Sequence, residues 1–195
     1  MMLKIRIAQR KNFKSEDLWG MHKLRARVFK DRMGWEVPVL SGMEIDGYDA
    51  IDPTYMIVKE KTGQVRGCWR ILPTEGPYML KDSFPQLLNG MPAPEGKNIW
   101  ELSRFAIETD GNQSFGFANL TIECIKEMMA YGKKHHIDQY VTVTTTAVER
   151  LLRKAGCVVT RLGPPVVIGV ENAVALYMDV DKTHYALSTT MPMAA

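Results

Sequence analysis

Residues 98–135 carry the clearest structural signal in the chain and read NIWELSRFAIETDGNQSFGFANLTIECIKEMMAYGKKH. The run from Asn98 to Ile107 is short and largely apolar, which predicts a β-strand. A polar loop from Thr109 to Ser114 follows it, and the next apolar residues recur at helical spacing, which predicts a helix from about Phe117 to His135. A strand, a loop and a long helix in this order are typical of a sheet flanked by helices.

The segments on either side extend this unit into a mixed α/β sheet. Strands are predicted over residues 3–9, 55–60, 65–72 and 139–145, with two more ending near residue 180, and helices over residues 15–30 and 147–155. Ser15 is the predicted cap of the first helix. Residues 31–54 and 73–98 are predicted to be irregular. The order β-α-β-β-β-α-β-α-β-β gives the fold class α/β (α+β), in one domain over residues 1–195.

Composition excludes several classes of protein. Of the 195 residues, 46% are hydrophobic and 24% are charged, which excludes disordered and collagen-like proteins. The 25 basic and 22 acidic residues leave a net charge of +3, too small to favour nucleic acid as a partner. The longest apolar stretch, Val166 to Met178, includes Glu171 and is too short to insert into a membrane. The first six residues alternate charged and apolar side chains, unlike a signal peptide, so a cytoplasmic location is expected.

The three cysteines are Cys68, Cys124 and Cys157. They form no CxxC pair, and each lies in an apolar segment, which indicates buried thiols. No metal site is therefore predicted.

Gln113, Gly116 and Ala118 lie between the predicted strand and the long helix. A glycine there lets backbone N–H groups approach a phosphate closely, and the positive end of the helix dipole favours the negative charge. The pattern resembles the pyrophosphate loop of the acetyltransferase fold, which binds coenzyme A. The three residues are therefore candidates for a phosphopantetheine loop, with an ordinary turn glycine as the alternative.

Arg25 and Phe29 lie four residues apart on one face of the first predicted helix, and Trp35 follows that helix. A guanidinium with two aromatic rings suits a small ligand that has a carboxylate and a cationic or flat part. The same residues equally allow a helix that packs its apolar side and leaves Arg25 in solvent.

An acidic segment lies between these residues and the central strands. Residues 36–60 contain six acidic residues and one basic residue. Such a segment is usually solvated, unless arginines from elsewhere fold onto it. Arg70 lies inside the predicted strand 65–72 and needs a partner there, which Asp46 or Asp49 can supply.

The sequence WELSRF, residues 100–105, places a carboxylate, a hydroxyl and a guanidinium in one short strand. Regular alternation puts Glu101 and Ser103 on one face and Arg104 on the other. If all three meet one ligand, the strand must be bulged or splayed.

Eight of these charged and aromatic residues together resemble the signature of the acyl-homoserine-lactone synthases, the autoinducer synthases of bacterial quorum sensing. They are Arg25, Phe29, Trp35, Asp46, Asp49, Arg70, Glu101 and Arg104. The similarity extends from Met21 to Leu176. Within the family the chain looks most like the synthases that make long-chain 3-oxo-acyl signals.

The resemblance implies a reaction and a role for each residue. Members of the family join S-adenosylmethionine to an acyl group on acyl carrier protein and close the lactone, releasing methylthioadenosine and the free carrier. S-adenosylmethionine is then a substrate, and no cofactor is expected. Glu101, Ser103 and Arg104 are the candidate catalytic residues, with Glu101 as the base for the amine and Ser103 or backbone amides stabilising the oxyanion. The other signature residues, and Arg104 as well, would hold S-adenosylmethionine, with the two aspartates and Arg70 forming a charge network.

The resemblance also requires an apolar pocket for the acyl chain and a docking surface for the acidic carrier protein. Residues 126–161 include seven basic and three acidic residues. The docking candidates are Lys133, Lys134, Arg150, Arg153 and Lys154. The pocket candidates are Met79, Leu102, Phe105, Phe117, Ile122, Ile125, Thr144 and Val148. Thr144 can donate a hydrogen bond to a 3-oxo group, although each pocket candidate is equally an ordinary core residue.

Two other functions fit parts of the sequence. An acyltransferase that uses acetyl-coenzyme A explains the glycine loop and the strand order, but not Arg25, Trp35 and the acidic segment together. A non-catalytic protein that binds S-adenosylmethionine or acyl carrier protein would show no turnover.

Overall fold

A computed structural model of the chain describes residues 3–108 and 114–189, and of residues 114–118 it describes the backbone alone. The chain forms two compact units. Unit 1 consists of Met1–Leu72 and Ser103–Thr121, and unit 2 of Pro73–Leu102 and Ile122–Ala195.

The described residues form ten strands and five α-helices. The first six of these elements are β1 (Leu3–Gln9), α1 (Ser15–Arg25), β2 (Val39–Leu40), β3 (Met43–Glu44), β4 (Thr54–Glu60) and β5 (Val65–Pro73). The others are α2 (Met79–Asp82), β6 (Ile99–Ile107), α3 (Ser114–Lys134), β7 (Gln139–Thr145), α4 (Thr146–Lys154), β8 (Val159–Arg161), β9 (Val166–Ile168), β10 (Glu171–Asp179) and α5 (Val180–Thr189). Helix α1 continues as a π-helix over Ala26–Arg32, and 3-10 turns occupy Arg10–Asn12, Gly47–Asp49 and Pro85–Leu88.

In unit 1, β1, β4 and β5 form an antiparallel sheet in that order, and the Ser103–Ile107 part of β6 lies next to β5. Strands β4 and β5 form a hairpin in which Gly63 has a φ of +93° and donates its N–H to the Glu60 carbonyl at 3.0 Å. Glycine adopts this backbone conformation without strain. The core of unit 1 includes Met21, Leu24, Val28, Phe29, Tyr55, Ile57, Val65 and Cys68.

In unit 2, Ile99–Leu102 of β6 pairs in parallel with Gln139–Thr142 of β7. A parallel pair needs a long crossover connection, and α3 lies in the chain between these two strands. Strand β10 is antiparallel to β7 and, along its other edge, to the short strands β8 and β9. The buried Tyr140 hydroxyl donates to the Met128 carbonyl at 3.1 Å, which fixes α3 to β7.

The observed elements agree with most of the predicted ones and correct three expectations. Ser15 is not the cap of α1, because the N-cap position belongs to Lys14, whose side chain makes no capping bond. The C-terminal part contains three strands instead of two, and helix α5 was not predicted. The one-domain organisation stays a prediction. Across the described residues, no helix has both the length and the apolar content needed to cross a membrane.

Candidate active site

Three arginines and three carboxylates of unit 1 form a closed ring in which positive and negative side chains alternate. Around this ring, Arg25 pairs with Glu44, Glu44 with Arg104 (3.0 Å), Arg104 with Asp46 (2.9 Å), Asp46 with Arg70 (2.5 Å), Arg70 with Asp49 (3.0 Å) and Asp49 with Arg25 (2.8 Å). The six formal charges cancel. Because every charge touches two of opposite sign, its removal from water is offset by both neighbours.

A capping box explains how the acidic segment reaches this alternating ring. Asp46 is the N-cap of the Gly47–Asp49 turn, and its carboxylate accepts the Tyr48 N–H at 3.0 Å. The Asp49 carboxylate accepts the Asp46 N–H at 2.9 Å in return. The two aspartates are thereby held so that both contact Arg70, the arginine for which they were the expected partners. The acidic segment is therefore not simply solvated.

Burial differs around the alternating ring. The side chains of Arg25 and Arg70 have no exposed surface, whereas those of Asp46 and Arg104 are 11% and 12% exposed. Burial alone opposes ionisation of Asp49, but hydrogen bonds and positive charge from the two buried arginines outweigh it and lower the pKa of this carboxyl far below its usual range. Asp49 therefore stays ionised. The most exposed members of the ring are Asp46 and Arg104.

Strand β6 brings Ser103 and Arg104 to the same network, although regular alternation would separate them. Arg104 has a φ of +57°, in the left-handed region, which interrupts the alternation. Its guanidinium joins the ring, while the Ser103 Oγ accepts a hydrogen bond from Arg70 Nε at 3.1 Å. A left-handed residue other than glycine costs about 1–2 kcal/mol, which the two ion pairs of Arg104 help to offset. The strand is therefore irregular at Arg104, whereas a bulge or splay that brings Glu101 to the same ligand stays a prediction.

Two stacked aromatic rings belong to the same site. Phe29 and Trp35 stack with their centroids 5.3 Å apart and 7° between their planes. The Arg104 guanidinium lies 5.6 Å from the centroid of Phe29. The indole Nε1 of Trp35 is buried and has no hydrogen-bond partner within the part of the chain that the structure describes. A buried donor of this kind suits a ligand that brings an acceptor.

Three contributors to this site were not among the predicted site residues. Glu44 binds two arginines of the ring, the Tyr55 hydroxyl donates to Asp49 at 2.5 Å, and His22 Nδ1 donates to the Glu44 carbonyl at 2.9 Å. Glu44 lay in the acidic segment, but its sequence did not distinguish it from Asp52, which is exposed. Nothing in the spacing of His22 or Tyr55 marks either as part of a polar site.

Glu101, the candidate base, lies in unit 2 and is 1% exposed. One carboxylate oxygen accepts the Met79 N–H at 3.0 Å, and the other accepts the Leu80 N–H at 2.7 Å. The first N–H groups of a helix lack partners inside it, and Tyr78 at the N-cap of α2 supplies no side-chain bond. Glu101 therefore fixes the start of α2, and α2 fixes the orientation of the carboxylate.

The predicted acyl-pocket residues occupy different environments. Met79, Leu102 and Ile125 are buried in unit 2, Ile122 and Thr144 are partly buried there, and Val148 is 38% exposed. Phe105 belongs to unit 1, where its ring centroid lies 4.5 Å from that of Trp69, and the Phe117 side chain lies outside the described residues. A cleft of about 480 Å³ in unit 2 contains none of these side chains. It is lined by Asn98, Ile99, Asp138, Gln139, Val158, Thr160, Tyr177, Asp179 and Lys182.

The proposed phosphopantetheine loop is described in part. Gln113 lies outside the described residues, and the backbone of Gly116 and Ala118 belongs to helix α3, which begins at Ser114. The two residues therefore follow the helix start and do not precede it. Their role in binding the donor stays a prediction.

The basic docking candidates differ in how far nearby carboxylates neutralise them. Lys133 pairs with Asp181 at 2.9 Å, and Arg153 pairs with the buried Glu149 at 3.0 Å. The exposed candidates that make no ion pair with any described residue are Lys134, Arg150 and Lys154. These three side chains present positive charge directly to solvent.

The cysteines are buried, as predicted, and form no disulfide. Burial raises the pKa of the Cys68 and Cys157 thiols to about 12, so both are protonated and unreactive at neutral pH. Within residues 3–108 and 114–189, no three His, Cys, Asp or Glu side chains are grouped in a way that would hold a metal ion.

Comparison with known proteins identifies the family. Residues 9–187 match the sequence model of the family described as autoinducer synthase. The chain belongs to the autoinducer synthase family. It is 50% identical over 186 residues to an acyl-homoserine-lactone synthase of Pseudomonas aeruginosa PAO1, which covers 94% of this chain and 92% of that protein.

Solved structures agree with this membership. The crystal structure of the acyl-homoserine-lactone synthase LasI is 48% identical, covers 100% of this chain and 98% of its own, and has a TM-score of 0.91. BjaI, a coenzyme A-dependent acyl-homoserine-lactone synthase solved with S-adenosylmethionine and isopentyl-CoA, is 26% identical, with a TM-score of 0.85 over 95% of this chain and 88% of its own.

The chain also shares its fold with an N-acetyltransferase. A putative N-acetyltransferase from Lactobacillus plantarum is 13% identical, with a TM-score of 0.62 over 91% of this chain and 98% of its own, which shows the fold alone. The predicted family, the enzyme class of acyl-homoserine-lactone synthase and the acetyltransferase-like α/β fold are thus confirmed.

Proposed function

We propose that this chain makes an N-acyl-L-homoserine lactone from S-adenosylmethionine and a 3-oxo-acyl group of medium or long chain carried on acyl carrier protein. Methylthioadenosine and the free carrier are the other products. The observation that carries the proposal is the alternating ring, which unites five charged signature residues of the family and is open to a ligand at Asp46 and Arg104.

The open edge of the alternating ring suits a ligand that carries both charges. It offers one guanidinium and one carboxylate, beside the stacked rings of Phe29 and Trp35. The carboxylate of S-adenosylmethionine pairs with Arg104, and the sulfonium is attracted by Asp46 and the aromatic faces. S-adenosylmethionine is consumed as a substrate in this reaction and is not a cofactor.

Amide formation requires a base and a donor for the oxyanion. The amine of S-adenosylmethionine loses a proton to Glu101, directly or through a water molecule, and attacks the thioester carbon. When the resulting oxyanion collapses, the bond from that carbon to the carrier's sulfur breaks, and the thiolate takes up a proton and leaves as the free carrier. A carboxylate oxygen has two lone pairs, so one accepted amide bond does not exhaust it. The Ser103 oxygen accepts a hydrogen bond from Arg70, which directs the hydroxyl hydrogen elsewhere. Ser103 donates this O–H to the oxyanion. Ser103 is not the nucleophile, since a guanidinium cannot take its proton.

Lactone closure follows within the acylated substrate. The carboxylate attacks the γ-carbon, the bond from that carbon to sulfur breaks, and the sulfonium leaves as neutral methylthioadenosine. Well-oriented intramolecular attacks reach effective molarities on the order of 10⁵–10⁸ M. Holding the chain bent at the open edge therefore suffices without another catalytic group.

Acyl carrier protein is the proposed donor, and coenzyme A is the alternative, because the related BjaI is described as coenzyme A-dependent. Carrier proteins are acidic, and the exposed Lys134, Arg150 and Lys154 of unit 2 give them a complementary surface. Both donors contain phosphopantetheine, so contacts at Gly116 and Ala118 do not separate them. Thr144 would bind the 3-oxo group.

A comparison of donors tests this function. With S-adenosylmethionine present, kcat/KM should be at least about tenfold higher for the 3-oxododecanoyl carrier protein than for 3-oxododecanoyl-CoA. The reverse order would overturn the choice of donor alone. If neither releases methylthioadenosine, and unsubstituted acyl donors also fail, the synthase proposal is wrong. S-adenosylmethionine should also raise the melting temperature and acetyl-CoA should not, which distinguishes an acetyltransferase.

A further inference from the structure

The N–H groups that hold Glu101 belong to a backbone segment that is itself held by buried hydroxyl groups. Tyr78, directly before Met79, has no exposed surface, and its hydroxyl donates to the Pro94 carbonyl at 2.5 Å. Breaking this bond would leave a buried hydroxyl and a buried carbonyl unsatisfied, which costs free energy in the protein interior. Tyr78 therefore ties the beginning of α2 to the chain around Pro94.

Thr74 makes a second connection, which reaches strand β6. Its side chain is fully buried, and its hydroxyl donates to the Ile99 carbonyl at 2.6 Å and accepts the Gly96 N–H at 3.1 Å. The Thr74 N–H also donates to the Ile99 carbonyl, at 3.3 Å. Ile99 precedes Glu101 by two residues, so Thr74 connects the same segment to the strand that carries the base.

We infer that Tyr78 and Thr74 are positioning residues for the general base, an inference that rests on the proposed role of Glu101. Their hydroxyl groups fix residues 74–80 against residues 94–99, and this sets the Met79 and Leu80 N–H groups at 3.0 and 2.7 Å from the two carboxylate oxygens. A carboxylate held by two fixed donors keeps one orientation, and catalytic groups must be held within roughly 0.5 Å of their productive geometry. Both hydroxyls therefore act through Glu101.

The test compares two tyrosine variants of the full-length chain. Tyr78→Phe removes the hydroxyl and leaves the ring. Tyr140→Phe is the matched control, because Tyr140 is equally buried and its hydroxyl also donates to a backbone carbonyl, that of Met128 at 3.1 Å. Amide hydrogen exchange reports the bonds to Glu101 without any need for activity. Exchange of the Met79 and Leu80 N–H groups should become about tenfold faster in Tyr78→Phe and stay unchanged in Tyr140→Phe.

Kinetics supply the second readout. Relative to Tyr140→Phe, Tyr78→Phe should lower kcat about tenfold and change the KM for S-adenosylmethionine less than about twofold, because orientation of the base acts on the chemical step. Thr74→Val should give the same pattern and replaces Tyr78→Phe if that variant does not fold. Exchange and kcat equal to those of Tyr140→Phe would overturn the inference.

Failure of the positioning role of Tyr78 and Thr74 can be distinguished from failure of the proposed function. A wild-type chain that is inactive with every donor refutes the synthase proposal and the base with it, even if the exchange difference is found. Full turnover in Glu101→Gln removes Glu101 as the base and overturns the inference. Loss of turnover in Glu101→Gln together with unchanged kcat in Tyr78→Phe overturns the inference alone.

Discussion

Among single residues, exposure separates the members of the alternating ring. Arg104 pairs with two carboxylates, and Arg25 pairs with two at short distance and lies 4.0 Å from a third, Asp46, but Arg25 is fully buried while 12% of Arg104 is exposed. Removing Arg25 takes one partner from two buried acids, Glu44 and Asp49. Removing Arg104 opens a place that water can fill. We therefore expect the same type of side chain to serve stability at Arg25 and, in the proposed function, ligand binding at Arg104.

Substitution of these arginines by methionine should separate the two roles. Arg25→Met should lower the free energy of unfolding by about 3–5 kcal/mol, because it leaves buried carboxylates with one cation fewer. Arg104→Met should lower it by about 1–2 kcal/mol and weaken S-adenosylmethionine binding at least about tenfold. Urea denaturation and calorimetric titration measure these quantities. Arg27→Met, which removes a partly exposed pair with Glu108, is the control and should cost less than about 1 kcal/mol.

Equal losses of stability in Arg25→Met and Arg104→Met would contradict this division of roles. Unchanged S-adenosylmethionine affinity in Arg104→Met would remove the open edge as the binding site.

His22 makes stability depend on pH near neutrality. Burial lowers its pKa below the ordinary value of 6.5, and the positive charge of Arg25 lowers it further, against weaker opposing effects of Asp49 and Glu44. As pH falls below 6.5, the unfolded chain gains a proton on His22 before the folded protein does, so stability falls. Stability should therefore decrease between pH 7.5 and 5.5, by up to about 1.4 kcal/mol for each unit of pKa difference.

Denaturant titrations of His22→Asn at both pH values measure this effect. The variant should lose less stability than wild type on acidification, while His184→Asn, in helix α5, should behave like wild type. Asp49 and Glu149 have lowered pKa values, so the stability that they provide is lost only as pH falls towards and below their ordinary values of 3.8 and 4.5. They therefore do not account for a change between pH 7.5 and 5.5. A pH dependence of His22→Asn identical to that of wild type would rule out His22 as its source.

At the scale of elements, the contact of α1 with β5 determines where Arg25 lies. A Cβ at Gly20 would lie 2.8 Å from Cγ2 of Val65, closer than side chains pack. Helix α1 can therefore approach this end of β5 only because residue 20 has no side chain. Arg25 follows in the same helix, so its place in the alternating ring depends on this contact.

Gly20→Ala should destabilise the protein although alanine favours helices by up to about 1 kcal/mol. Overpacking against Val65 costs about 1–3 kcal/mol and reverses the sign. In Gly20→Ala/Val65→Ala the clash is absent, so the double variant should lose at least about 0.5 kcal/mol less than the sum of the single variants. Thermal and urea unfolding give the values. Additive losses, or a gain in stability for Gly20→Ala alone, would show that the contact does not limit the packing.

Elements also differ in how far the sequence predicts them. β1 and β7 have their predicted bounds, since β1 ends at the polar Arg10–Asn12 turn and Thr145, the last residue of β7, is the N-cap of α4. Arg70 has the expected partners because an arginine inside a strand needs a carboxylate. The left-handed conformation of Arg104 was not predictable, since alternation assumes a regular strand. Helix α5 was not predicted, although Asp179 directly before it accepts the Lys182 N–H at 2.9 Å, as an N-cap residue does. The amide partners of Glu101 depend on the path of residues 73–98, which has no periodic pattern.

For the whole molecule, the net charge of +3 combines the charges of an acidic segment, residues 36–60, a basic segment, residues 126–161, and the rest of the chain. The acidic residues 36–60 are partly neutralised by the arginines of the alternating ring, so their charge is internal. In unit 2, Lys134, Arg150 and Lys154 keep their charge at the surface. A total near zero is therefore compatible with one small charged substrate and one acidic protein substrate.

Reversal of surface charge should affect the protein substrate alone. Arg150→Glu/Lys154→Glu should raise the KM for the acyl carrier protein at least about tenfold at low salt and leave the KM for S-adenosylmethionine unchanged. Added salt should weaken the wild-type enzyme's use of the carrier, because exposed charges are screened beyond about 10 Å at 0.1 M. Lys4→Glu/Lys11→Glu makes the same change of net charge at exposed positions of unit 1 and is the control. Equal effects of the two double variants would refute a specific docking surface.

In the proposed reaction one chain forms both the amide and the lactone, with Glu101 as the base. Mass spectrometry of a reaction of S-adenosylmethionine with the 3-oxododecanoyl carrier protein measures both products and their rates. The wild-type chain should form methylthioadenosine and 3-oxododecanoyl-homoserine lactone in equal amounts, and Glu101→Gln should bind S-adenosylmethionine normally with a rate lower by about 10²–10⁴-fold. Methylthioadenosine without lactone would show that the chain does not close the ring, and equal rates for the two proteins would show that Glu101 is not the base.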